Sequence, residues 1–121
     1  MPDLSPPDFF KGNARSFELF EAVRKAVEEA GPSDMRTTKS QIAFRRKRGF
    51  AWVWMPEMYL KREAAPLVLT VGLRRRDGSP RWKQVVEPYR GRFMHHLEVY
   101  AVGDIDEEVH TWIAEAWALA G

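Results

Sequence analysis

Two kinds of residue in this 121-residue chain have types and spacing suited to chemistry: a histidine doublet, His95-His96, and two arginine-rich clusters, Arg45-Arg46-Lys47-Arg48 and Arg74-Arg75-Arg76. Neighbouring side chains on a strand point to opposite faces, so the two imidazoles cannot ligate one metal or serve one substrate as acid and base. His95 shares a row with Phe93, Leu97 and Val99 and reads as a hydrogen-bonded core residue. His96 lies with Met94 and Glu98 on the other face, where an imidazole that titrates near neutrality can meet a ligand. His96-Leu97-Glu98 has the H-x-E form that opens the zinc deaminase signature, but that signature is completed by cysteines and the chain has none. His110 sits inside an amphipathic segment, and no spacing joins it to His96 and Glu98 as a ligand set. Asp104 and Asp106 are better explained as a helix start, where carboxylates meet the positive end of the helix dipole. No glycine-rich phosphate loop is present. Thr38 and Ser40 have no base at a telling spacing and read as polar groups at a strand entrance. No catalytic residue, metal or cofactor is expected.

The charge distribution carries more information. The net charge of +2 hides a strong segregation: residues 31–92 hold 15 basic and 5 acidic residues, whereas residues 93–121 hold 6 acidic and no basic ones. Local clusters rather than the global sum set the field over a surface. Arg81, Lys83, Arg90 and Arg92 follow the second cluster, and Trp82 and Tyr89 are interleaved with them, with Trp52 or Trp54 as further aromatic neighbours. Arginines with exposed rings are the composition used for phosphate contacts and base stacking. The competing expectation is a solvated rim paired with the acidic last segment.

The elements that must position these residues follow from periodicity. From Asn13, Phe17, Phe20, Val23, Val27 and Ala30 form a helical stripe that Gly31-Pro32 ends. The period then becomes two: Ser40, Ile42 and Phe44 share a face, with a turn at Lys47-Arg48-Gly49. Phe50–Met55 is apolar on both faces, stops at Pro56 and belongs in the sheet interior. Leu67–Leu73 and Phe93–Val99 are the third and fourth strands. The connection Arg74–Arg92 is long enough to contain a short element or a functional loop. A last helix opens at Asp104 with Glu107 as its capping-box partner and buries Ile105, Val109, Trp112, Ile113, Ala116 and Ala120. The expected fold is α+β: a four-stranded, largely antiparallel sheet with both helices on one face, in the order α-β-β-β-β-α. Residues 1–12 form a flexible or docked arm, with Phe9 and Phe10 as anchors, before a single domain over 13–121.

With 45% hydrophobic and 30% charged residues, the chain is neither disordered nor collagenous. No window approaches a membrane span and the start lacks the pattern of a signal peptide, so a soluble cytoplasmic protein is expected.

Thr37-Thr38-Lys39-Ser40-Gln41-Ile42-Ala43-Phe44, Phe50-Ala51-Trp52-Val53, Glu87-Pro88 and His95-His96-Leu97-Glu98-Val99 together resemble a small bacterial domain family of unassigned function, from about Phe17 to Trp117. The resemblance implies a first helix closed by glycine and an acidic last helix carrying a late aromatic. It also implies domains that occur alone or fused to other small modules, some near restriction-type systems. It supplies no catalytic residues.

The leading functional expectation is a non-catalytic module that engages nucleic acid or another polyanion. Its basic rim would comprise Arg45, Arg46, Lys47, Arg48, Arg74, Arg75, Arg76, Arg81, Trp82 and Lys83. The alternative is a small-molecule or enzymatic pocket on the sheet face that the helices leave open. Lys39, Gln41, Arg45, His96 and Glu98 would bound it, with Ala43, Ala51 and Gly72 leaving room. A third reading is a protein-interaction or homodimer module with Trp52, Trp54 and Met55 in an apolar seam.

Overall fold

The computed structural model describes residues 5–56 and 64–121. The first four residues of the expected arm, and Lys61 and Arg62 of the basic middle, lie outside them. A short turn of helix, α1 (Pro6–Phe9), is capped by the Ser5 hydroxyl, which accepts from the Asp8 N–H at 3.3 Å. Phe9 and Phe10 are buried, and Phe10 packs on Phe20 of the next helix with ring centroids 5.2 Å apart. That helix, α2 (Ala14–Ala30), starts at Asn13 and buries Leu19, Phe20, Val23, Ala26 and Val27. It ends at Gly31, whose φ of 150° leaves the helical region ahead of Pro32, and only glycine fits there because a Cβ would collide with the Trp117 indole.

Six strands follow: β1 (Asp34–Thr37), β2 (Ile42–Arg45), β3 (Gly49–Trp54), β4 (Leu67–Leu73), β5 (Gln84–Tyr89) and β6 (Arg92–Val99). They form one sheet in the order β1-β2-β3-β4-β6-β5, with every neighbouring pair antiparallel. The four expected strands are the inner ones. The sheet is two strands wider than expected, because β1 and β5 are polar edge strands with no alternating apolar row. β1 buries only Thr37, and β5 contains Pro88 and is almost wholly exposed. Such strands are held by pairing along one side rather than by burial, and proline is tolerated at an edge.

The last helix, α3 (Glu107–Leu119), begins two residues later than expected. Asp106 is its N-cap, accepting from the Val109 N–H at 3.2 Å. Asp104 instead closes a 3-10 turn (Val102–Asp104), accepting from the backbone of Tyr100 and Ala101 at 2.9 and 3.0 Å. Both long helices pack on one face of the sheet, α3 over β3 and β4 and α2 beside it on β4. The core lies between, from Phe44, Val53, Leu69, Val71 and Leu97 on the sheet to Val23, Val27, Trp112 and Ile113 on the helices. Ala51 is fully buried on this helix side, which removes it from the small residues expected on the open face. Met55 is also buried, so it belongs to no exposed seam.

Candidate anion pocket and open-face groove

Because β3 and β4 are antiparallel neighbours, the β2–β3 turn and the exit of β4 lie at the same end of the sheet. The β5–β6 turn reaches that end too, since β4 and β6 pair from Leu73↔Phe93 to Leu67↔Val99. Arg48, Arg74, Arg90 and Arg92 come from these three connections and line one pocket of about 300 Å³ with Tyr89 and the end of α3. Among the described residues no carboxylate lines it. Arg92 is anchored, donating from Nη2 to the Gly49 carbonyl at 2.8 Å, while Arg48 and Arg90 make no side-chain ion pair among the described residues. Gly91, with φ of 81°, permits the turn that presents Arg90, and its N–H donates to the Glu87 carboxylate at 2.9 Å. Tyr89 is 64% exposed at the rim.

The rest of the expected rim is differently employed. Arg75 clamps Glu115 of α3 with two bonds of 2.9 and 2.8 Å and also reaches Asp77 at 2.8 Å. Arg81 bridges Asp106 and Glu108 at 3.0 and 2.9 Å, and Lys83 pairs with Glu98 at 3.0 Å. Arg46 sits over the Trp117 ring, 3.7 Å from its centroid, and donates to the Trp117 carbonyl. Arg76 lies over Phe93 at 5.4 Å. Arg45 and Lys47 are exposed. Trp82 is corrected outright: only 8% exposed, it packs 4.1 Å from Trp112 and 4.9 Å from His95 and donates Nε1–H to Asp77, so no base can stack on it. Arg90 and Arg92 take the places that Arg75 and Arg81 leave, and sequence spacing alone could not tell paired arginines from unpaired ones.

The histidines occupy the faces expected of them. His95 is fully buried; its Nε2 accepts from the Asp77 N–H at 2.9 Å, and its Nδ1 donates to the Phe93 carbonyl at 3.1 Å. Both nitrogens are satisfied by the neutral imidazole, and burial pulls its pKa below the ordinary value. Asp77 shows the opposite balance. Burial pushes its carboxyl up, yet bonds from the Trp82 indole, Arg75 and the Ser79 N–H outweigh this and hold it at about 2.

His96 stands on the open face. Its Nδ1 lies 2.7 Å from the Thr70 hydroxyl, and its ring meets the Trp54 edge at 5.4 Å. Burial, then repulsion from His95, keeps it below the usual value. A groove of about 510 Å³ runs here, floored by Trp52, Trp54, Thr70 and Met94 and bounded by Gln41 and Val86. Of the five residues expected to bound an open-face pocket, Gln41 and His96 line this groove. Lys39, Arg45 and Glu98 do not, and Glu98 is held by Lys83. Among the described residues no three His, Asp or Glu side chains converge to hold a metal ion, and no helix is long and apolar enough to cross a membrane.

The architecture is that of an α+β domain with one helical layer on an antiparallel sheet. Within that class, the chain belongs to the family described as "Domain of unknown function (DUF5655)", whose model matches residues 7–120. No curated protein and no solved structure matches the chain.

Proposed function

We infer that this domain is a non-catalytic binding module whose ligand is a polyanion, most naturally a single-stranded nucleic acid. The observation that carries this reading is the convergence of Arg48, Arg74, Arg90 and Arg92 on a pocket that no carboxylate lines among the described residues. Guanidinium groups suit phosphate because their planar fork donates two parallel hydrogen bonds and keeps its charge at any physiological pH. Four such groups cluster here although carboxylates elsewhere on the surface neutralise Arg75, Arg81 and Lys83. Backbone carbonyls of Gly49 and Leu119 accept from Arg92 and Arg74 but carry no full negative charge, so an external anion is the reasonable complement of the four guanidinium groups.

The test is titration of a fluorescein-labelled single-stranded oligonucleotide by anisotropy, comparing two double variants that lose the same charge. Arg48→Gln with Arg90→Gln should weaken binding at least about tenfold. Arg75→Gln with Lys83→Gln, which removes ion-paired cations, should leave affinity within about twofold. Equal losses in the two would replace the pocket with a diffuse field, and no binding at low salt to the unaltered protein would end the reading.

A further inference from the structure

The open-face groove adjoins the arginine pocket. Trp52 and Trp54 lie two residues apart on β3 and so present their rings on one face, beside Thr70 and Gly72 of β4 and Met94 and His96 of β6. The two sites meet at Gly72. A Cβ there would have the Arg92 guanidinium, the Met94 sulfur and the Trp52 ring each at 3.6 Å. Arg92, a member of the pocket, lies 5.9 Å from the Trp52 ring centroid. Thr70 on the groove floor and Gly72 at the pocket's edge lie two positions apart on one strand, about 7 Å, a distance that a sugar spans between its base and its phosphate.

The groove floor is apolar except for the Thr70–His96 pair, with Ser40 and Gln41 at its border. The buried Thr70 hydroxyl holds His96 by Nδ1, and Nε2 has no hydrogen-bond partner among the described residues. A flat aromatic surface with one fixed hydrogen-bonding group, bordered at one end by a cation, complements a planar heterocycle joined to a phosphate. A second copy of the chain fits less well: of the groove's large apolar side chains only Val86 is exposed, too little for a homodimer seam.

We propose that the Trp52–Trp54 groove stacks one base of a nucleic-acid single strand whose adjacent phosphate lies in the arginine pocket, with His96 bonding the base edge. This rests on the polyanion reading above and makes the base, not only the backbone, part of what is recognised.

An abasic strand of the same length keeps every phosphate and loses every base, so it separates the two claims. The intact strand should bind the unaltered protein about tenfold or more tighter than the abasic one. Trp54→Leu should bring the intact strand down to the abasic affinity, and His96→Phe should weaken the intact strand alone, with melting temperatures confirming that both variants fold. Equal binding of intact and abasic strands would overturn the stacking proposal and leave the arginine pocket standing. Failure of both strands to bind would overturn both. Adenosine monophosphate that matches the intact strand in affinity would overturn the strand as the source of the base. A dimer in sedimentation that Trp54→Leu dissociates would give the groove to a second copy.

Discussion

The two histidines share a chemistry and differ in surroundings, and this decides what each one does. His95→Ala removes a fully buried ring that accepts from the Asp77 N–H, donates to Phe93 and packs on Trp82. The cavity and the stranded amide together should cost about 2–4 kcal/mol. His96→Ala removes a ring at the groove wall and one bond to Thr70, about 1 kcal/mol. Urea melts of the two variants measure the difference, and the reverse order would place the helices on the wrong face. Both imidazoles are held below the ordinary value of 6.5, so each binds its proton more readily in the unfolded chain. Stability is therefore complete above about pH 6.5, falls as pH drops through it, and levels off below the depressed folded values. Asp77, at about 2 against 3.8, adds a separate loss at more acid pH, below its ordinary value. Thermal melts between pH 7.5 and 5 should show the first fall, and His96→Gln should shrink it.

At the scale of elements, α3 joins the core to the basic loop. Trp112 is buried under Trp82, Arg75 reaches Glu115, and Arg81 spans Asp106 and Glu108 beside the helix N-cap. Trp112→Ala should cost about 3–5 kcal/mol and release Trp82 with it. A melting temperature that barely moves would show that the two indoles do not carry this contact. Arg75→Glu would set a third carboxylate beside Asp77 and Glu115 and should lower the melting temperature clearly. Arg90→Glu, at an exposed turn with no ion pair among the described residues, should leave it almost unchanged.

For the whole molecule, the acidic end and the basic middle are folded against each other, but incompletely. α3 neutralises one side of the rim, and the sheet end where three turns meet is left positive. If four phosphates occupy that end, a single strand should bind with a log–log salt slope of about −3. A slope near zero would mean that the arginines do not meet the backbone of the strand.

The amino-acid pattern by itself determined the two long helices, the four inner strands and the face on which each histidine stands, whereas strand order, a tertiary fact, brought the Arg45–Arg48 and Arg74–Arg76 segments to one end. The first three follow from periodicity, because burial repeats at 3.6 or 2 residues wherever a core must be covered. The edge strands β1 and β5 escape that logic, since a strand that buries almost nothing leaves no apolar rhythm to read. Tertiary structure alone decided which cations are paired and which are free. Arg75 and Glu115 are forty residues apart, as are Arg92 and the Trp52 ring it overhangs, and no local spacing encodes such contacts. Trp82 shows the same limit most sharply. Its neighbours in sequence are Arg81 and Lys83, which mark it as a surface ring, but its neighbours in space are Trp112 and His95, which make it core. Charge along the chain reports what a segment carries; only the fold determines what that charge faces.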